Sequence, residues 1–282
     1  MGKYILSAFA DEYDNKLDEQ VNALKRFGID HLEIRFVDGR NIADLSSGEA
    51  DEVKRKLDNS GIKVSSVGSP VGKISLDGDM TGHLALAEGV FEKAKILGTD
   101  LVRVFSFYPP KGKCIDECRD HVMSALDRMI SLAKSYGITL CHENEARIYG
   151  EKAENCLDIM EHFCGRIKAV FDMGNFALEK HDPYVAYKLL RDHIRYFHIK
   201  DALSAGAIVP PGKGEAGIRY ILSEHAKYTD EDIVITLEPH LQTFSGLNAL
   251  TDSKFDNPYK YETQQAAFAD AVEKLKELIS NI

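Results

Sequence analysis

Along the chain, short runs of Val, Ile, Leu and Phe alternate with longer stretches in which apolar residues recur every three or four positions. The short runs predict β-strands at Tyr4–Ser7, His31–Arg35, Val64–Val67, Leu101–Phe105, Thr139–Glu143, Ile167–Asp172, Arg195–Lys200 and Ile233–Glu238, each bounded by turn or polar residues. The longer stretches predict amphipathic helices. Leu17, Val21, Leu24 and Phe27 share one helical face, as do Leu84, Val90, Phe91, Ala94 and Leu97, and later Val122, Leu126, Met129, Ile130 and Ala133. Gly28, Gly61, Gly98 and Gly137 each stand between a helix and the next strand, where a left-handed exit favours glycine.

Eight strand–helix units in 282 residues predict an α/β protein, a single-domain (β/α)8 TIM barrel over residues 1–282. A doubly wound open sheet would carry a glycine-rich loop after its first strand, and here that loop is Ala8-Phe9-Ala10-Asp11-Glu12. The longest expected loops, Asp201–Gly214 and Pro239–Pro258, follow the last two strands and would crowd the mouth where barrels do their chemistry.

Composition narrows the function classes. Apolar residues make up 44% and charged residues 28%, which excludes disordered and collagen-like chains. No apolar run approaches the roughly 20 residues that span a bilayer, and the start turns acidic at Asp11-Glu12 too early for a signal peptide. A net charge of −10 argues against nucleic acid as a partner. The five cysteines form no paired CxxC motif, so they are expected to be thiols in a reducing cytoplasm; Cys114 and Cys118 lack the second ligand pair of a zinc site.

Candidate chemistry sits where the predicted strands end. Strand five ends Cys141-His142-Glu143-Asn144-Glu145, strand six ends Val170-Phe171-Asp172, strand seven runs Tyr196-Phe197-His198-Ile199-Lys200, and strand eight ends Leu237-Glu238-Pro239-His240. Neighbouring strands lie about 4.8 Å apart, so four adjacent ends would bring Glu143, Asp172, His198 and Glu238 around one point. Three converging carboxylates repel unless a cation neutralises them. One divalent metal ion fits; an oxygen-rich set with one imidazole suits Mn²⁺ best, with Mg²⁺, Co²⁺ or Zn²⁺ as alternatives. Taken singly, a strand-end residue of this kind is more often a salt-bridge partner than a ligand; it is the occurrence on four consecutive strands that points to a metal.

At these positions the chain resembles the xylose isomerase-like barrel superfamily of sugar isomerases and epimerases. The resemblance rests on Leu32-Glu33-Ile34-Arg35, Glu143-Asn144, Phe171-Asp172-Met173-Gly174, Phe197-His198-Ile199-Lys200-Asp201 and Leu237-Glu238, in this order along the whole chain. It implies a small-molecule carbohydrate substrate and a metal held by Glu143, Asp172, His198 and Glu238. It also implies that Glu143 and Glu238 move protons on opposite faces of the sugar, through an enediolate beside a carbonyl. The family often has His three residues after the strand-six Asp, where this chain has Asn175, so the grip on substrate is expected to differ. The endonuclease branch needs further histidines for three zinc ions, and His83, His121 and His162 stand away from strand ends.

Other residues are candidates for substrate contact: Asn175, Lys200, His240, Glu33 and Arg103. Glu33 has an ion pair with Arg35 or Arg103 as its alternative, and Lys200 with Asp201 a solvated loop pair. Glu145 would otherwise pair with Arg147. Pro210-Pro211-Gly212-Lys213-Gly214 reads as an anion cradle or as a plain helix-entry turn. Against the isomerase or epimerase stand a metal-dependent lyase or hydrolase on an oxidised sugar or keto-inositol, which shares the first proton abstraction, and a non-catalytic sugar-binding barrel. Oligomeric state stays open, a homo-oligomer included.

Overall fold

The computed structural model describes residues 3–242 and 259–282, so the expected loop over 239–258 lies outside the described residues from 243 onward. Eight parallel strands close into a barrel: β1 (Tyr4–Ala8), β2 (His31–Ile34), β3 (Lys63–Gly68), β4 (Leu101–Val104), β5 (Thr139–Glu143), β6 (Ile167–Asp172), β7 (Ile194–Ile199) and β8 (Ile233–Leu237). Each pairs with its neighbours in chain order, and β8 closes on β1 through Tyr4 opposite Ile233 to Ala8 opposite Leu237. The expected strands are all present, and every boundary that differs does so by one residue at an end.

Helices wrap the outside: α1 (Leu17–Arg26), α2 (Ser47–Asn59), α3 (Met80–Leu97), α4 (Arg119–Ser135), α5 (Ala153–Phe163), α6 (Met173–Leu178), α7 (Pro183–Leu190), α8 (Ile218–Tyr228) and α9 (Gln264–Ile279). The faces read from the periodicity are the ones they bury. Leu17, Val21 and Leu24 of α1 lie in the same apolar cluster as Val90, Phe91, Ala94 and Leu97 of α3 and Val122, Leu126 and Met129 of α4. Burying each large side chain of this kind stabilises the fold by about 1.5–3 kcal/mol. Helix ends follow local chemistry. Ser46 and Glu49 form a reciprocal capping box at the start of α2, and Gly98 ends α3 at φ 81°.

Inside the barrel, Leu101, Cys141, Val170 and Tyr196 form a separate apolar cluster. Because side chains alternate along a strand, the residue two further on points the same way and one layer nearer the mouth. Above this plug therefore stand Arg103, Glu143, Asp172 and His198. Among the described residues, no helix is long and apolar enough to cross a membrane. All five cysteines are free thiols, Cys114 and Cys164 exposed and the other three buried.

Candidate metal centre and active site

Strand register brings the charged ends together. Asp172 on β6 pairs with His198 on β7, and His198 pairs in turn with Thr236 on β8, two residues before Glu238. Glu143 closes β5 opposite Val170 of β6. Glu143, Asp172, His198 and Glu238 each offer one ligand atom, and these atoms all lie within 4.8 Å of one another. All four residues are buried at 3% exposure or less.

The cluster is held from behind. Asn144 takes the backbone N–H of Asp172 with its Oδ1 at 2.9 Å and donates from Nδ2 to the Asp172 carbonyl at 2.8 Å. The Asp172 carboxylate accepts the Asn175 N–H at 2.8 Å, capping α6. Gly174 lets this helix pass Lys200, since a Cβ there would stand 2.7 Å from the Lys200 side chain and carbonyl. Lys200 Nζ donates to Asp172 at 2.8 Å and to Asn175 Oδ1 at 3.0 Å, and lies 3.2 Å from Glu238. Arg103 stands 3.2 Å from Glu143. Arg35, fully enclosed, donates to Glu238 at 2.9 Å, Asp11 at 3.0 Å and Glu12 at 3.2 Å.

Electrostatics follow from this packing. At Asp172, burial, reinforced by Glu238 and Glu143 against Lys200, raises the carboxyl to about 7. At Glu238 burial acts in the same direction but is overcome by Lys200, His240 and His198, which hold the group well below the usual carboxylate range. Burial opposes charge on His198, and Glu143 and Glu33 outweigh it, so the imidazole is raised well above its ordinary value. Burial lifts Glu12 to about 8 despite Arg35.

The cluster fits a divalent cation. Glu143 Oε2 and Glu238 Oε2 are buried without a hydrogen bond, and both belong to the four-residue set. Arg103 and Lys200 reach these two oxygens as ion pairs at 3.2 Å each, and a further cation would balance the three carboxylates that converge here. Three carboxylates and one imidazole form a donor set for Mn²⁺, Mg²⁺ or Zn²⁺.

Beside the cluster opens a cavity continuous with solvent. Arg103, Asn175, Lys200 and His240 all line it, as do Glu143, Glu238, Lys73 and Glu145. Glu33 does not. It is fully buried, and its carboxylate is taken by Tyr196 and His198. Glu145 pairs with Lys73 at 3.0 Å rather than with Arg147. Asp201 is turned away from the cavity. Its carboxylate accepts the N–H groups of Ala202, Gly212, Gly214 and Ala216, so the loop that read as an anion cradle holds the chain's own carboxylate.

His240 reaches the site although β8 ends before it. Its backbone turns to φ 46° after Pro239, its N–H donates to Glu12 at 2.7 Å, and its Nε2 lies 3.4 Å from Glu238. Sequence reasoning missed Asp11, Glu12 and Arg35. The signal was there: two acids directly after β1 lie beside the end of β8 once the barrel closes.

A family model described as xylose isomerase-like TIM barrel matches residues 21–279. No curated protein matches the sequence. Among solved structures, D-psicose 3-epimerase from Clostridium cellulolyticum H10, determined with D-tagatose, is similar with a TM-score of 0.73 at 14% identity, covering 98% of this chain and 98% of that one. The probable 3-DHS dehydratase AsbF of petrobactin synthesis in Bacillus anthracis gives 0.72 at 15% identity, covering 98% and 99%. The IOLI protein with a bound zinc atom gives 0.73 at 18% identity, covering 98% and 98%. Likeness at these identities establishes the fold.

Proposed function

Because the chain belongs to the xylose isomerase-like TIM-barrel family, we propose that it is a metal-dependent isomerase or epimerase of a keto sugar or sugar phosphate. The observation that carries this reading is the buried Glu143–Asp172–His198–Glu238 cluster, whose two glutamates line a solvent-connected cavity. Mn²⁺ is the ion we assign, on the chemistry of the donor set. Held there, it would polarise a carbonyl or hydroxyl oxygen of the substrate.

The chain's own groups account for the proton traffic. Glu143 and Glu238 come from strands on different sides of the cluster and both line the cavity. One removes the proton on the carbon beside the carbonyl, and the other returns a proton to the neighbouring carbon or to the opposite face. Lys200 and Arg103, both buried and facing the cavity, balance the negative charge of the enediolate. Asn175 presents a narrower grip than a histidine would. Its Nδ2 is already given to the Asn144 carbonyl at 2.9 Å and its Oδ1 accepts from Lys200. The structural likeness to a probable dehydratase supports a second outcome of the same first step, in which a leaving group departs instead of a proton returning.

The test is incubation of candidate ketoses with manganese-loaded protein in D₂O. Deuterium beside the carbonyl together with a new stereoisomer or an aldose is expected, whereas an unsaturated product would transfer the assignment to the lyase. Glu143→Gln and Glu238→Gln should each lower turnover by about 10²–10⁴-fold, with metal content measured for both. Full activity in a metal-replete Gln variant would sink the two-glutamate shuttle.

A further inference from the structure

The strand-two glutamate does not line the cavity, and its carboxylate is taken by Tyr196 and His198. A register shift in β2 places Leu32 opposite Val64 but Glu33 opposite Ser66, so one residue of β3 is skipped. Such an irregularity re-aims a side chain. Here Glu33 points into the barrel, fully buried beneath the metal cluster. Its Oε1 accepts the Tyr196 hydroxyl at 2.9 Å, and its Oε2 lies 3.0 Å from His198 Nε2. The other ring nitrogen, Nδ1, lies 3.0 Å from Glu143 Oε1 and 3.4 Å from Glu238 Oε2. Edge-on contacts from Phe9 and Tyr196, with ring centroids 5.2 and 5.5 Å away, fix the plane of the imidazole.

We propose that Glu33 is a positioning residue for the metal centre: it accepts the Nε2 proton of His198 and thereby leaves the Nδ1 lone pair facing Glu143, Asp172 and Glu238. This rests on the metal-dependent reading above and adds the element that sets the histidine tautomer. Only the neutral imidazole can ligate a cation; it carries one N–H, and carboxylates stand on both sides of this ring to accept it. If the proton sat on Nδ1 it would be donated to Glu143, and the ring would present no lone pair to a cation. Glu33, held by Tyr196 on its far oxygen, is the acceptor that draws the proton to Nε2. Carboxylate partners behind ligating histidines act in this way, and their loss typically weakens metal binding by about 10–100-fold. The strand-two glutamate therefore serves the metal and not the sugar.

The probe is Mn²⁺ alone, titrated in competition with a chelating dye against the full chain, Glu33→Gln and Tyr196→Phe. Glu33→Gln keeps the size of the side chain and removes its charge. Its affinity should fall by about 10–100-fold, and that of Tyr196→Phe by less, with circular dichroism showing all three folded. A substrate contact would instead raise KM and leave Mn²⁺ affinity unchanged. Unchanged affinity in Glu33→Gln overturns this inference while the metal site stands. A wild-type chain that binds no divalent ion overturns both this and the proposed function. Should Glu33→Gln fail to fold, long-range ¹H–¹⁵N NMR of the zinc-loaded wild-type chain decides. A proton on Nε2 of His198 is expected there, and a proton on Nδ1 refutes the role.

Discussion

His83 shows how one buried imidazole governs a loop at the cavity. Its Nε2 accepts the Gly72 N–H at 2.8 Å, which requires that nitrogen to be unprotonated. Gly72 itself, at φ 92°, lies against the Phe105 backbone too closely for any side chain, and Lys73 follows it into the cavity. Burial lowers the His83 pKa from the ordinary 6.5. A base depressed in the folded state binds fewer protons than in the unfolded chain. Its stabilising contribution is thus present above about pH 6.5 and is lost as pH falls through the lower native value. The urea midpoint of the wild type should therefore drop more between about pH 7 and about pH 5 than that of His83→Gln, whose carbonyl oxygen can accept the same N–H at either pH. Parallel drops would show that this bond does not carry the acid sensitivity.

At the scale of elements, loops are fixed by acids that local sequence makes look exposed. Asp201 begins a two-residue strand paired with Ile208–Val209 and gathers four backbone N–H groups of the loop leading into α8. Asp201→Asn would set an amide donor against some of these donors, at a cost of about 1–3 kcal/mol for buried groups left unmade. Faster tryptic cleavage after Lys213 is the expected sign, followed by mass spectrometry of the fragments. Cleavage at the wild-type rate would mean that the loop is held by something else. β2 teaches the complementary lesson. Its alternation was legible, but the skip opposite β3 that aims Glu33 inward is a property of pairing, which one strand's sequence does not contain.

For the whole molecule, the barrel and the carboxylate–histidine cluster are separable. Leu101, Cys141, Val170 and Tyr196 fill the interior below the charged layer, and the large apolar cluster joins barrel to helices without using a ligand residue. A chelator should therefore abolish turnover while leaving the far-ultraviolet circular dichroism intact, unlike a small zinc domain whose folding energy comes from its metal. Loss of helical signal on chelation would make the cation structural. The cluster also carries its own counter-charges, since Arg35 contacts Glu238, Arg103 contacts Glu143, and Lys200 contacts both Asp172 and Glu238. The carboxylates thus have partners in the folded chain before any cation arrives.

Periodicity by itself determined the eight strands and the helices between them, and the absence of a glycine-rich loop after β1 favoured a closed barrel over a doubly wound sheet with the same alternation. The strand pattern also determined that Glu143, Asp172, His198 and Glu238 stand together at or beside the ends of four consecutive strands, because neighbouring strands lie about 4.8 Å apart. Tertiary structure alone decided what surrounds them. Asp11 and Glu12 become neighbours of Glu238 only when β1 closes against β8, across more than two hundred residues of chain. Glu33 turns to Tyr196 and His198, and His240 joins the cavity through a left-handed turn after Pro239. Lys73 takes Glu145 from Arg147, the partner its sequence position suggested. The physical reason is the same in each case. Local pattern controls which way a side chain faces, whereas the partner of a buried charge is chosen by whichever opposite charge closure brings within about 3–4 Å.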